Sequence, residues 1–163
     1  MQKIAFVLFC LFAVRAAAAT RYTHSGVVTR VVDGDTLWIK TSTGAQPLKV
    51  RIQGIDAPEI CQVGGLLARD ALKVKVWGER VIVISGTLDQ YGRTLGTVYV
   101  QGQEIGRWMV VQGHAWVYSY RSKKPLYSAE FSQAQVERRG IFSAPVIEEP
   151  RLFRKHHGFC QSL

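Results

Sequence analysis

The chain has 163 residues, 47% of them hydrophobic, and carries 21 Lys or Arg against 12 Asp or Glu, a formal net charge of +9. That length and apolar content suit one compact domain whose core needs no staples, and exclude a second domain of ordinary size. The positive excess points to an anionic partner, although charge by itself does not distinguish nucleic acid from other anions.

Lys3 precedes the apolar run IAFVLFCLFAV, and AAAAT supplies small residues for cleavage. Residues 1–19 therefore read as a secretory signal peptide, with a single domain over 20–163. The apolar stretch is 11 residues long and ends before Arg15, too short for a bilayer that takes ~20. The mature chain is expected to be secreted or periplasmic, with no stable membrane association. Losing Lys3 and Arg15 leaves 19 basic residues against 12 acidic, a net charge of about +7. Cys10 departs with the leader, leaving Cys61 and Cys160 as an even pair. The sequence leaves open whether they are bonded, because nothing in it gives their separation in space. Two cysteines alone cannot make a tetrahedral zinc site.

Strands come first. The segment 25–41, SGVVTRVVDGDTLWIKT, reads as two β-runs joined around DGD. In 47–54, PLKVRIQG, Leu48, Val50 and Ile52 alternate with Lys49, Arg51 and Gln53, which puts Arg51 on the polar face. Residues 80–85 and 92–100 supply two further strands. Helices are predicted over 66–77, with Leu67, Ala71 and Val74 as its apolar stripe, and over 104–113 and 125–140, each closed by glycine. Five short strands and three helices point to a small α+β barrel with helices packed on it. Residues 143–163 form a C-terminal tail, whose last stretch RLFRKHHGFCQSL is basic and expected to be loosely held.

The chemistry sits at the strand ends. Asp35 opens the strand leaving the DGD turn, and Asp56 lies just past the end of the VRI strand. In an antiparallel meander those ends can meet. Two adjacent carboxylates repel unless a cation lies between them, and hard oxygen ligands suit calcium or magnesium. Pro58 biases Ala57 toward extended backbone, which can aim the Ala57 carbonyl at the same ion. Glu59 is then placed to orient or deprotonate a water. Arg51 and Arg93 are guanidinium forks that fit phosphate oxygens. Cations for phosphoryl charge and a carboxylate for the attacking water are the parts phosphodiester hydrolysis needs. Tyr91, Trp116, Tyr118 and Tyr120 occur near arginines and lysines, and of these aromatic residues Tyr91 and Tyr118 are the best candidates for stacking bases. His114, His156 and His157 receive no catalytic role.

The motifs VVDGDT, VRIQGIDAPE and DQYGR, in that order and followed by a helix and GHAWVY, resemble the staphylococcal nuclease (thermonuclease) family. The likeness covers roughly residues 24–142. It implies a five-stranded OB-fold β-barrel with three helices and calcium-dependent hydrolysis of DNA and RNA to 3′-phosphate products. By that resemblance Asp35, Asp56 and the Ala57 carbonyl hold one calcium ion. Arg51 and Arg93 bind and stabilise the phosphate, and Glu59 is the general base. The expected partners are DNA and RNA, single-stranded or frayed, acted on by a monomer. Gln90 stands where the best-known member has lysine, so substrate contacts near Tyr91 are expected to differ, and the loop after Glu59 lacks that member's lysine-rich insertion, which leaves docking on that side open. Two rivals remain. A catalytically inactive OB-fold that binds single strands would need no such acids, and a secreted inhibitor or adhesion domain accounts for none of the motifs.

Overall fold

A computed structural model describes residues 21–119 and 124–160. The predicted leader, and Tyr120 among the aromatic residues, lie outside the described residues. Six strands form one sheet: β1 Tyr22–Val31, β2 Thr36–Thr41, β3 Leu48–Ile52, β5 Arg80–Leu88, β6 Thr94–Val100 and the short β7 Gln103–Glu104. β2 pairs antiparallel with β1 and β3, while β5 pairs antiparallel with β1 and β6. A parallel pairing of β3 with β6 brings the ends together, so β1, β2, β3, β6 and β5 close a five-stranded barrel. β1 serves two neighbours by bending at a register shift between Val28 and Arg30, as bulged strands do at barrel corners. The expected five-stranded barrel is observed.

Alternation along the strands supplies the barrel interior. Leu37, Ile39, Val50, Ile52, Val81 and Val83 are fully buried, each worth about 1.5–3 kcal/mol relative to exposure. Three helices sit near the predicted places: α1 Gly65–Val76, α2 Ile105–Val111 and α3 Ser128–Val136. α1, however, buries Ala68, Leu72 and Val76. The predicted stripe is turned outward, with Leu67 and Val74 exposed. Both sets recur at helical spacing. The one that wins begins with small Gly65 and Ala68, which let the helix approach the barrel backbone. A smaller apolar cluster of Trp116, Ala134, Ile141 and Phe142 ties α3 to the rest.

The tail departs from expectation. Pro150–His157 form a fourth helix, α4, with Pro150 in its first turn where a missing N–H costs nothing. Cys160, just beyond it, is bonded to Cys61. Far from being loosely held, this segment is stapled across the molecule. Two further short strands, β4 Ile55–Asp56 and β8 Trp116–Val117, pair beside the barrel mouth. Among the described residues no helix is long and apolar enough to cross a membrane.

Candidate active site

The DGD turn is held by two bonds: Val32 N–H donates to the Thr36 carbonyl at 2.9 Å, and Asp35 N–H to Asp33 Oδ1 at 3.0 Å. Its glycine is required by crowding, because a Cβ on Gly34 would lie 2.6 Å from the Ala57 Cβ and 2.8 Å from the Ala68 Cβ. The turn is thus pressed between α1 and the turn that carries Asp56 and Glu59. Register does the rest. Thr36 lies opposite Arg51 in the β2–β3 ladder, and Ile52 N–H donates to the Asp35 carbonyl at 2.8 Å.

Arg51 joins the two acids. Its Nη1 pairs with Asp35 Oδ2, and its Nη2 donates to Asp56 Oδ1 at 3.0 Å. Asp56 is positioned independently by β4, where it lies opposite Trp116. Ala57 N–H donates to Asp35 Oδ2 at 2.9 Å, so the backbone after Asp56 is also tied to Asp35. Asp35 and Asp56 are 5% and 3% exposed, which is unusual for carboxylates. Burial, against the pull of Arg51, pushes the Asp35 carboxyl up to about 7. The Asp56 carboxyl is also raised by burial, despite Arg51 and a second guanidinium, that of Arg154. Lost hydration is therefore incompletely offset at both acids.

Arg93 enters from the other side. It stands just before β6, where Asp89 accepts its backbone N–H at 2.9 Å and its Nε–H at 2.7 Å. Although partial burial works the other way, hydrogen bonds from Arg93 and Tyr91 hold the Asp89 carboxyl below its ordinary value. Arg93 Nη1 donates to Thr36 Oγ1 at 3.2 Å, and that hydroxyl donates to Asp35 Oδ1 at 3.0 Å. One chain of polar contacts therefore runs from Arg93 through Thr36 and Asp35 to Arg51 and Asp56.

Glu59 extends the chain. Its backbone N–H donates to Gln62 Oε1 at 3.1 Å, and α1 begins against its carbonyl, where a Cβ on Gly65 would collide. Its side chain accepts from Arg154 Nη1 at 2.9 Å. Arg154 also donates to both oxygens of Asp56, at 3.1 and 2.7 Å. The network borders an open groove of about 980 Å³ whose walls include Lys49, Tyr91, Tyr118 and Lys124. Tyr91 and Tyr118 are 59% and 44% exposed. The guanidinium of Arg93 lies 5.3 Å from the Tyr91 ring centre, and Phe159 meets the same ring edge-on.

All eight residues singled out from the sequence border this groove or belong to its network. Trp116 does not, being buried against Phe142. His114 packs beside Trp108, and burial lowers its pKa. Sequence reading missed Arg154, Asp89, Thr36 and Gln62. Thr36 and Asp89 lie in the quoted motifs and needed only their hydroxyl and carboxylate to be considered as tethers. Arg154 had one signal, the cysteine pair: a bond from Cys61 to Cys160 brings the tail to the Glu59 turn. Beside α4, donor atoms of Glu148, His156 and His157 lie within 4.8 Å of one another. Imidazole nitrogens are not a ligand set that calcium selects.

Residues 49–144 match the family described as Staphylococcal nuclease homologue, more than half of the chain. The chain is 38% identical over 141 residues to Protein ParB of Escherichia coli, covering 80% of this chain and 78% of that protein. It is 37% identical over 142 residues to Micrococcal nuclease of Shigella flexneri, covering 80% of each. An Uncharacterized endonuclease of Haemophilus influenzae is 34% identical over 154 residues, 94% of this chain and 86% of that one. The family match spans Arg51, Asp56, Glu59 and Arg93, and ends before α4.

Proposed function

The chain belongs to the staphylococcal nuclease family and is a nuclease; on that premise we propose that it is exported and hydrolyses DNA and RNA to 3′-phosphate products with the help of one calcium ion. The observation that carries this reading is the pair of buried acids, Asp35 and Asp56, held on the single guanidinium of Arg51 at the edge of an open groove.

A hard divalent cation fits the donor set. Two carboxylates that burial pushes toward neutrality regain their charge when a cation sits beside them. Asp35, Asp56 and the Ala57 carbonyl would hold it. When bound, such an ion supplies positive charge to the phosphoryl oxygens.

The chain's own residues do the remainder. Arg51 carries five donors, more than its two carboxylate partners use, and with Arg93 it binds the phosphate and stabilises the charge that builds on it. Glu59 accepts the proton of the attacking water. The water oxygen bonds to phosphorus, the bond from phosphorus to the 5′-oxygen breaks, and that oxygen takes a proton from solvent and leaves as the 5′-hydroxyl. Tyr91 and Tyr118, exposed at the rim, stack against unpaired bases, which supports action on single-stranded or frayed substrate. The Cys61–Cys160 bond supports export, since disulfides persist in oxidising compartments.

A digestion series on single-stranded DNA, duplex DNA and RNA with calcium, magnesium or chelator tests the reading. Cleavage with calcium that stops in chelator, leaving ends sensitive to a 3′-phosphatase, is expected; cleavage that persists in chelator overturns it. Retained binding of nucleic acid without any cleavage identifies the inactive single-strand binder instead. Glu59→Gln is expected to lower kcat on the order of 10²–10⁴-fold with calcium binding little changed, measured by turnover and calorimetry.

A further inference from the structure

We propose that Arg154 is a positioning residue of the active centre, which holds Asp56 and Glu59 in a fixed relation and is delivered there by the disulfide-stapled helix α4. This rests on the nuclease reading above and extends it to a part of the chain beyond the family match.

The contacts are specific. The guanidinium reaches both oxygens of Asp56 and also Glu59 Oε1, at distances of 2.7–3.1 Å, with its side chain only 20% exposed. Asp56 belongs to β4 and Glu59 to the turn that follows it, so one planar fork sets the spacing between an acid assigned to the ion and the acid assigned to the water. A planar fork donating in two directions does this better than an ammonium point charge.

α4 is pinned on both sides. Before it, the Glu148 carbonyl accepts from Gln62 Nε2 at 2.6 Å. The same Gln62 receives the Glu59 backbone N–H. After it, Cys160 is bonded to Cys61, two residues beyond Glu59, and Phe159 rests on Tyr91. The helix is therefore fastened to the very turn whose carboxylate Arg154 orients.

A surface ion pair that merely secures the tail would have no reason to end on two acids of the groove. A displaceable plug on the ion site needs a carrier that can swing away, whereas α4 is anchored at both ends. Each carboxylate oxygen has two acceptor directions, so Asp56 can receive Arg154 and still face an ion.

The test compares full-length wild type, Arg154→Ala, Arg154→Lys and the double variant Cys61→Ser/Cys160→Ser. Turnover of single-stranded DNA is measured at saturating calcium, calcium binding by calorimetry without nucleic acid, and folding by thermal melting. Arg154→Ala is expected to lose about 10- to 100-fold in kcat, the scale of a misplaced catalytic group, with KM and melting temperature little moved and calcium bound no more tightly. Arg154→Lys should recover part of that loss, and the double serine variant should lose kcat in the same direction. Unchanged kcat in Arg154→Ala overturns the assignment and leaves a structural ion pair. Higher kcat or at least about tenfold tighter calcium in that variant overturns it in favour of an internal competitor for the ion. Full turnover by the double serine variant overturns delivery by the staple. Absence of cleavage by the wild type overturns the nuclease reading along with it, while an active wild type matched by Arg154→Ala sinks only the role of Arg154.

Discussion

Two halves of the groove hold guanidinium on carboxylate, and they are built differently. On the barrel side, Arg51 and Asp35 come from adjacent strands whose ladder pairs Thr36 with Arg51 residue by residue. A slip of one position would turn every side chain to the other face, so the core itself enforces the contact. On the tail side, Arg154 reaches Asp56 across 98 positions and Glu59 across 95. It is held there by one covalent bond, a buried glutamine and the contact of the Phe159 ring with Tyr91. The barrel side is specified many times over; the tail side depends on a handful of groups that can be removed singly.

The largest way to separate the halves is to cut the staple. Cys61 and Cys160 are 99 residues apart, and closing a loop of that size is worth about 4–5 kcal/mol in the chain-entropy account. Cys61→Ser/Cys160→Ser should lower stability by up to about 4 kcal/mol in denaturant titrations while the barrel's circular dichroism is kept. A loss of the barrel signal would show that the two halves are one cooperative unit.

On the barrel side, Arg93→Ala is the cleaner test of phosphate binding, since removing Arg51 leaves two buried acids without their shared partner. Arg93 pairs instead with Asp89 in an open turn. Its loss should cut kcat by roughly 10²–10³-fold or more with little change in melting temperature; near-normal turnover would remove it from the mechanism.

Next comes pH. The Asp35 carboxyl is raised from an ordinary 3.8 to about 7, so the folded state favours its protonated form more than the unfolded chain does. Its contribution to stability is complete below about 4 and is lost as pH rises through about 7, on the order of 4 kcal/mol in all, of which about 2 kcal/mol is lost above pH 5.5. Chelator-treated wild type should therefore melt at lower temperature at pH 8 than at pH 5.5, and Asp35→Asn should flatten that slope. An unchanged slope in the variant would locate the effect elsewhere. The smallest expected effect is at the rim, where Tyr91→Ala should raise KM for single strands by about 1 kcal/mol equivalent and leave kcat alone.

Much of the barrel side was legible because its signals are local. The alternation of Leu48, Val50 and Ile52 put Arg51 on the opposite face, and the strand ends carrying Asp35 and Asp56 do meet. Arg51 is nevertheless more enclosed than a polar-face residue suggests, at 14% side-chain exposure, because its guanidinium lies between the buried carboxylates of Asp35 and Asp56. The α1 stripe was misread for a related reason. Leu67, Ala71 and Val74 satisfy helical spacing as well as Ala68, Leu72 and Val76 do, and only the crowding of Ala68 against the DGD turn chooses between them.

The amino-acid sequence by itself determined the strands, their inward residues and the short motifs that carry acids and arginines, since each depends on neighbours a few positions away. The tertiary structure alone decided the parallel closure of β3 on β6, the buried face of α1 and the docking of α4. Those depend on groups brought together from far along the chain, where closure entropy, shape and a single disulfide govern the outcome and leave no periodic trace to read.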